Sequence, residues 1–160
     1  MLTKITLRLA QTADLATIQT ITNAAYAKYL PRLGRQPQPM TADYLPMIAA
    51  QQVWLAEQEG IAVGLIVLQP ATDHLLIYSV AVAPAHQGTG VGQQLLLWAE
   101  QEAAYQGYPV VQLYTNEKMT ENIALYGRIG YQEVKRVLVN GYQVVYMEKT
   151  LPATQHEEKA

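Results

Sequence analysis

The chain has 160 residues, half of them hydrophobic and 15% charged, with 11 basic and 13 acidic side chains and a formal charge of −2. This balance excludes a disordered chain, and the length suits one domain with a proper core. There is no cysteine and the three histidines are scattered, which excludes disulfides, thiolate metal sites and cysteine nucleophiles; a metal site would have to rest on carboxylates, and none is expected.

The first strand is expected over Thr3–Ala10, where Ile5, Leu7 and Leu9 share one face. Asp14 is placed to cap or to charge the start of a helix in which Leu15, Ile18, Ile21, Ala25 and Tyr29 recur at helical spacing, with Pro31 as its stop. Leu30–Met40, rich in proline, reads as a loop, and Thr41 opens a second short helix that contains Pro46. Gln52–Glu57, Ile61–Leu68 and Leu75–Val82 read as three strands of an antiparallel meander, with turns at Gln58-Glu59-Gly60 and Ala71-Thr72-Asp73-His74. A glycine-rich loop, Pro84–Gly92, leads into a helix from Gly92 to Tyr105, which Gly107 and Pro109 end. Val110–Tyr114 is a further strand, and Glu121–Ile129 a helix closed by Gly130. Glu133–Val139 and Tyr142–Lys149 flank Asn140-Gly141, a strong hairpin signal. The order β-α-α-β-β-β-α-β-α-β-β describes a mixed α/β layered domain over residues 1–151, followed by a polar tail at 152–160.

No Lys or Arg occurs between Arg35 and Lys118, whereas seven acids do. A nucleic-acid partner, which needs a basic face, is therefore not expected. No apolar run approaches the ~18 residues of a membrane span. The Met1-Leu2-Thr3-Lys4-Ile5 start lacks the layout of a secretory leader, so a cytoplasmic protein without a membrane partner is expected.

Ser79–Gly92 carries the most chemistry. A strand runs into a turn with alternate glycines, Gly88, Gly90 and Gly92, and a long helix leaves it. Glycine permits positive φ, so successive N–H groups can converge on one point, and the helix adds its first-turn donors. Such a loop can grip a diphosphate without lysine. A Walker A loop is excluded because no lysine is present; a dinucleotide fingerprint is excluded because Gln93 stands where its third glycine belongs. The other reading is a tight connection in which glycine serves only packing.

Gln87-Gly88-Thr89-Gly90-Val91-Gly92 resembles the (Arg/Gln)-x-x-Gly-x-(Gly/Ala) signature of the GNAT superfamily of acetyl-CoA-dependent N-acyltransferases. Val80-Ala81-Val82-Ala83-Pro84 resembles the family's strand into that loop, Asn122-Ile123-Ala124-Leu125-Tyr126-Gly127-Arg128-Ile129-Gly130-Tyr131 its Leu-Tyr-x-x-x-Gly-Phe segment, and the hairpin ending Tyr146-Met147-Glu148-Lys149 its closing one. The resemblance spans Thr3–Leu151. It implies a GNAT-like α/β fold (an α+β mixed sheet), a central, mostly antiparallel twisted sheet of about seven strands flanked by four helices. It also implies that the fourth and fifth strands splay apart.

For function the resemblance implies an N-acetyltransferase with acetyl-CoA as donor, a primary amine as acceptor, and direct attack through a tetrahedral intermediate. Val80 and Val82 would offer backbone groups to the cofactor, and the amides of Gln87, Gly88, Thr89, Gly90, Val91 and Gly92 would hold its diphosphate. The Val82 amide would serve the oxyanion, and Tyr126 would protonate the leaving thiolate. Proton transfer from a phenol near pKa ~10 to a thiolate of ~8.5 is uphill by about 2 kcal/mol, tolerable if concerted with bond cleavage. The other reading of Tyr126 is a core aromatic, in a chain with 11 Tyr and no Phe.

Asn122, one helical turn before Tyr126, is assigned to cofactor contact. Asn116 is either a further contact or an ordinary turn residue. Many family members carry asparagine where Met119 stands here, and Lys118 and Arg128 are the nearest cations for a 3′-phosphate. The fourth strand lacks the glutamate that often acts as base; Tyr78 and Ser79 are its polar groups, with Asp73 and His74 upstream. The acceptor would lie beside the loop after the first helix, where Tyr26, Tyr29 and Arg32, with Tyr44, Lys28, Arg35 and Tyr78, are candidates. These loop cations either select an anionic acceptor or are solvated charges. The alternative function is a catalytically silent acyl-CoA-binding sensor; a purely structural domain would leave the glycine loop unexplained. Homodimers are frequent in the family.

Overall fold

A computed structural model describes residues 4–152. Thr3, the expected start of the first strand, and residues 153–160 of the expected polar tail lie outside the described residues. Seven strands form one mixed sheet in the order β1-β2-β3-β4-β5-β7-β6. The strands are β1 Thr6–Leu9, β2 Val53–Gln58, β3 Ile61–Pro70, β4 Leu75–Val82, β5 Val110–Asn116, β6 Gln132–Val139 and β7 Tyr142–Thr150. The described residues also hold six α-helical segments: α1 Leu15–Tyr26, α2 Leu30–Leu33, α3 Gln38–Thr41, α4 Tyr44–Ala49, α5 Val91–Tyr105 and α6 Thr120–Arg128. The chain divides into two compact units. One comprises residues up to Leu68 with Ser79–Trp98; the other comprises Gln69–Tyr78 with the residues from Ala99 onward.

In the first unit β1 and β2 pair antiparallel, as do β2 and β3. Apolar alternation in β2 and a near-continuous apolar run in β3 bury Val53, Leu55, Leu65, Ile66 and Val67, with Ile18 of α1 and Leu95 of α5 among the fully buried side chains. Trp54 meets Trp98 at 4.7 Å between ring centroids, the rings tilted by 59°. Gly64 stands where β3 passes β4, and a Cβ there would lie 2.9 Å from the Ala81 carbonyl oxygen.

Three expectations are corrected here. Pro31 does not stop the first helix. A 3₁₀ turn, Ala27–Tyr29, carries the winding into α2, where Pro31 occupies the first turn. A proline is tolerated there because a first-turn N–H has no intrahelical acceptor. The winding ends at Gly34, whose φ is +74°. Second, Leu30–Met40 is not a plain loop, since it holds α2 and most of α3, and Thr41 closes α3 rather than opening a helix. Asp43 instead caps α4, its carboxylate accepting from the Leu45 N–H at 3.3 Å. Third, of the two roles open to Asp14, its side chain makes no cap bond to α1 but supplies the acid in the 3₁₀ turn Thr12–Asp14 that leads into it. It accepts from the Gln11 N–H at 2.7 Å and forms a two-pronged pair with Arg8, at 2.9 Å on each nitrogen. Arg8 also donates to Glu57 at 2.9 Å.

In the second unit β5 and β7 pair antiparallel from Val110↔Thr150 to Asn116↔Val144, and β7 continues antiparallel onto β6. Asn140 and Gly141, with φ of +49° and +86°, make the tight hairpin that their sequence predicts. Buried Val111, Leu113, Val145 and Met147 share one face of β5 and β7. The parallel ladder between β4 and β5 covers only Leu75↔Val111 to Ile77↔Leu113. Strand β6 is exposed along its whole length and bulges between Glu133 and Lys135.

Two measurements check these packing arguments. Gly64→Ala should lose about 1–3 kcal/mol in urea unfolding because backbone must give way. Gly127→Ala, where a Cβ meets nothing within 4 Å, should be neutral or slightly stabilising. The Arg8 hydrogen bonds hold the Asp14 carboxyl below its ordinary range. Its stabilisation is therefore present above the unfolded pKa of about 4 and fades as pH falls through the lower folded value. Between about pH 5 and 2 the wild type should lose more stability than Asp14→Asn.

Candidate functional site

The glycine loop belongs to the first unit. After β4 a 3₁₀ turn spans Pro84–His86, and the Gln87 N–H closes it on the Pro84 carbonyl at 3.3 Å. Gly88 and Gly90 then take φ of +79° and +92°, a region that L side chains enter only at a cost. At Gly88 a Cβ would meet nothing within 4 Å, so backbone conformation rather than space demands glycine there. The Gly90 carbonyl accepts from the Gln94 N–H at 3.0 Å. Gly90 is thus the last residue before α5, and the N–H groups of Val91, Gly92 and Gln93 have no carbonyl one turn back within the helix. This arrangement favours an anion at the helix mouth. The Val91 side chain is buried, and Gly92 sits beside Val82 with room for a Cβ.

The edge of β4 leads directly to this loop. The Ala83 N–H donates to the Val63 carbonyl of β3 at 2.9 Å. Peptide groups alternate edges along a strand, so Val80 and Val82 turn their N–H and C=O away from β3. Both lie beyond the three positions at which β4 pairs with β5. The Val82 carbonyl accepts from the Gln87 side-chain amide at 3.0 Å. Lys28 donates to the Gln87 side-chain oxygen, also at 3.0 Å. A cation therefore does reach the loop, delivered by the 3₁₀ turn after α1; the local sequence, without a basic residue from Gln36 to Glu117, gave no sign of it.

Around that turn Tyr26 meets Tyr29 edge-on at 6.5 Å, and Lys28 and Arg32 lie over the Tyr29 ring at 5.1 and 5.6 Å. Burial raises the Tyr26 hydroxyl above its ordinary pKa. Tyr44, expected near an acceptor, is instead a core residue at 2% exposure. Its hydroxyl donates to the Pro39 carbonyl at 2.6 Å, and burial raises its pKa to about 12.

In the second unit α6 places Asn122 and Tyr126 one turn apart, both half-buried. The helix buries none of its own residues. Met119 before it and Tyr131 after it are buried, at 3% and 2% exposure. The Asn116 side-chain oxygen accepts from the Lys118 N–H at 2.9 Å, so that oxygen is committed to its own turn. Tyr78, Tyr114 and Tyr146 form an aromatic row at 6.4 and 5.3 Å, with Lys135 lying 4.8 Å from the Tyr146 ring. The half-exposed face of β4 carries Leu76, Tyr78, Val80 and Val82 and no carboxylate. His74 pairs with Asp73 at 2.8 Å in the turn before β4. Among the described residues no helix is long and apolar enough to cross a membrane.

Residues 49–133 match the acetyltransferase (GNAT) domain family, and the protein belongs to that family. It is similar to the N-acetyltransferase family 8 member 3 of Rattus norvegicus, 33% identical over half of this chain and 38% of the relative. It is also similar to the aminoalkylphosphonate N-acetyltransferase of Salmonella typhimurium, 39% identical over 36% of this chain and 37% of the relative. The matches thus span well under half of each relative's length. Among solved structures, the PaiA N-acetyltransferase of Thermoplasma acidophilum in complex with coenzyme A superimposes with a TM-score of 0.75. At 17% identity it covers 92% of this chain and 99% of its own, which establishes the GNAT fold.

Proposed function

We propose that this protein is an acetyl-CoA-dependent N-acetyltransferase acting on a primary amine. The observation that carries the reading is the loop from β4 into α5. Two positive-φ glycines and a helix N-terminus follow a strand edge turned away from its neighbour, within a chain of the GNAT family. These residues fit coenzyme A, whose diphosphate suits the donors of Gly88, Thr89, Gly90, Val91 and Gly92 and whose amide-bearing arm suits Val80. Gln87 contributes through its side chain, because its N–H closes the preceding turn. Lys28 adds positive charge beside it. Asn122 and the side-chain amide of Asn116 are assigned to further polar contacts with the cofactor.

Acetyl-CoA, when bound, supplies a thioester-activated acetyl group. The Val82 N–H stabilises developing negative charge on oxygen, and the Val82 carbonyl is held by Gln87. The Tyr126 hydroxyl carries the proton destined for the departing sulfur. With no carboxylate on the half-exposed face of β4, the acceptor enters as the small neutral fraction of its amine or loses its proton to water. Tyr26, Tyr29, Arg32 and Tyr78 contribute to acceptor recognition. A silent acyl-CoA sensor is the second reading, favoured by that same missing carboxylate.

Thiol release from acetyl-CoA decides between them, measured with spermidine, 2-aminoethylphosphonate, an amino acid and an alanine-terminated peptide. Turnover with any amine removes the sensor; tight binding without turnover favours it. Gly90→Val should keep its circular dichroism yet lose at least about tenfold in acetyl-CoA affinity by calorimetry, since valine resists the required φ. Tyr126→Phe should lower kcat at least about tenfold with KM for acetyl-CoA nearly unchanged.

A further inference from the structure

Helix α6 carries Tyr126 and has no fully buried residue of its own, so the buried groups at its ends contribute to its seating. The residue that receives its C-terminal end is Tyr131, in the position where the family's segment has phenylalanine. The Tyr131 N–H donates to the Tyr126 carbonyl at 2.9 Å, and the two rings meet edge-on at 6.1 Å and 63°. The hydroxyl that distinguishes Tyr131 from phenylalanine donates to Glu100 of α5 at 3.2 Å. The other oxygen of Glu100 accepts from Lys149 of β7 at 2.9 Å.

Lys149 has a second partner, the Ile129 carbonyl, again at 2.9 Å. That carbonyl lies just past the end of α6, where helical carbonyls lack intrahelical donors and an ammonium is favourable. Gly130 makes this approach feasible, since a Cβ there would lie 3.1 Å from the Lys149 side chain. Glu100 is only 12% exposed and Lys149 30%, so removing either partner leaves the other poorly solvated. Burial and the Glu100 carboxylate both hold the Tyr131 phenol above its ordinary pKa.

We propose that Tyr131, Glu100 and Lys149 form a positioning cluster that fixes the ring and backbone of Tyr126. The Glu100–Lys149 pair anchors Tyr131, and Tyr131 in turn anchors Tyr126. The catalytic significance rests on the reading of Tyr126 as proton donor; the structural claim does not.

The test separates the two. In protein carrying tyrosines labelled with carbon-13 at Cζ and no ligand, the Tyr126 resonance is identified by its disappearance in Tyr126→Phe. Tyr131→Leu and Lys149→Met should shift or broaden it, whereas Tyr105→Phe, at a residue 87% exposed, should leave it in place. An unmoved Tyr126 resonance in both variants overturns the cluster, whatever the turnover. Kinetics then use the fastest amine of the panel above. Each variant should lower kcat about tenfold with KM for acetyl-CoA within about twofold, and should cost less than about twofold more in a Tyr126→Phe background. Equal losses in both backgrounds overturn the positioning role. If Tyr126→Phe turns over normally, the proton-donor reading fails instead, and the resonance alone judges the cluster. Should Tyr131→Leu not fold, Tyr131→Phe keeps the ring and removes only the hydroxyl; a drop of about threefold, absent in the Tyr126→Phe background, is expected.

Discussion

The structure turns on the early end of one ladder. Strand β4 pairs with β5 at only three positions, while its own continuation stays bonded to β3 as far as the Ala83–Val63 contact. The edge groups of Val80 and Val82 are thereby directed away from β3 without a place in the β5 register. Backbone donors and acceptors that a sheet does not use must find partners elsewhere. The chain supplies one itself, the Gln87 side chain on the Val82 carbonyl, and the loop that presents Gln87 also begins α5. One departure from regular pairing thus links strand edge, glycine turn and helix mouth. Gly64 contributes to the same region from β3, since only a residue without Cβ lets that strand lie so close to Ala81.

Much of this was legible in the residues. The hairpin at Asn140-Gly141 and the full span of β4 follow from local chemistry that tertiary packing has no reason to override. Gly88 and Gly90 carry the positive φ that their spacing implies. The region from Tyr26 to Ala49 was less legible because proline has two meanings: at Pro31 it opens a helical turn where a stop is equally consistent with its chemistry. Asp14 shows a similar ambiguity. Its place before an apolar helical pattern suits a cap, but Arg8 and the Gln11 N–H claim its carboxylate instead.

The site residues divide along the same line. Backbone conformation leaves a trace in glycine spacing; contacts between distant side chains leave none. Lys28 reaches Gln87 across 59 positions of sequence, and Glu100 reaches Lys149 across 49. Neither pairing has a local signature. The signal that was available for Tyr131 is chemical, a hydroxyl in a motif position that otherwise carries plain phenylalanine, and a buried phenol needs an acceptor.

Strand β6 has a consequence for the protein's behaviour in concentrated solution. It closes one end of the sheet with every side chain exposed, including Val134, Val137, Leu138 and Val139, and such a border invites stacking of further chains onto its unpaired amides. The bulge at Glu133–Lys135 breaks the regular spacing that an incoming strand must match, and Lys135 sets positive charge along the same stretch, where Arg136 pairs with Glu133 at 2.8 Å. The irregularity therefore makes the first half of the edge a poorer template for regular strand addition than the half near the hairpin tip.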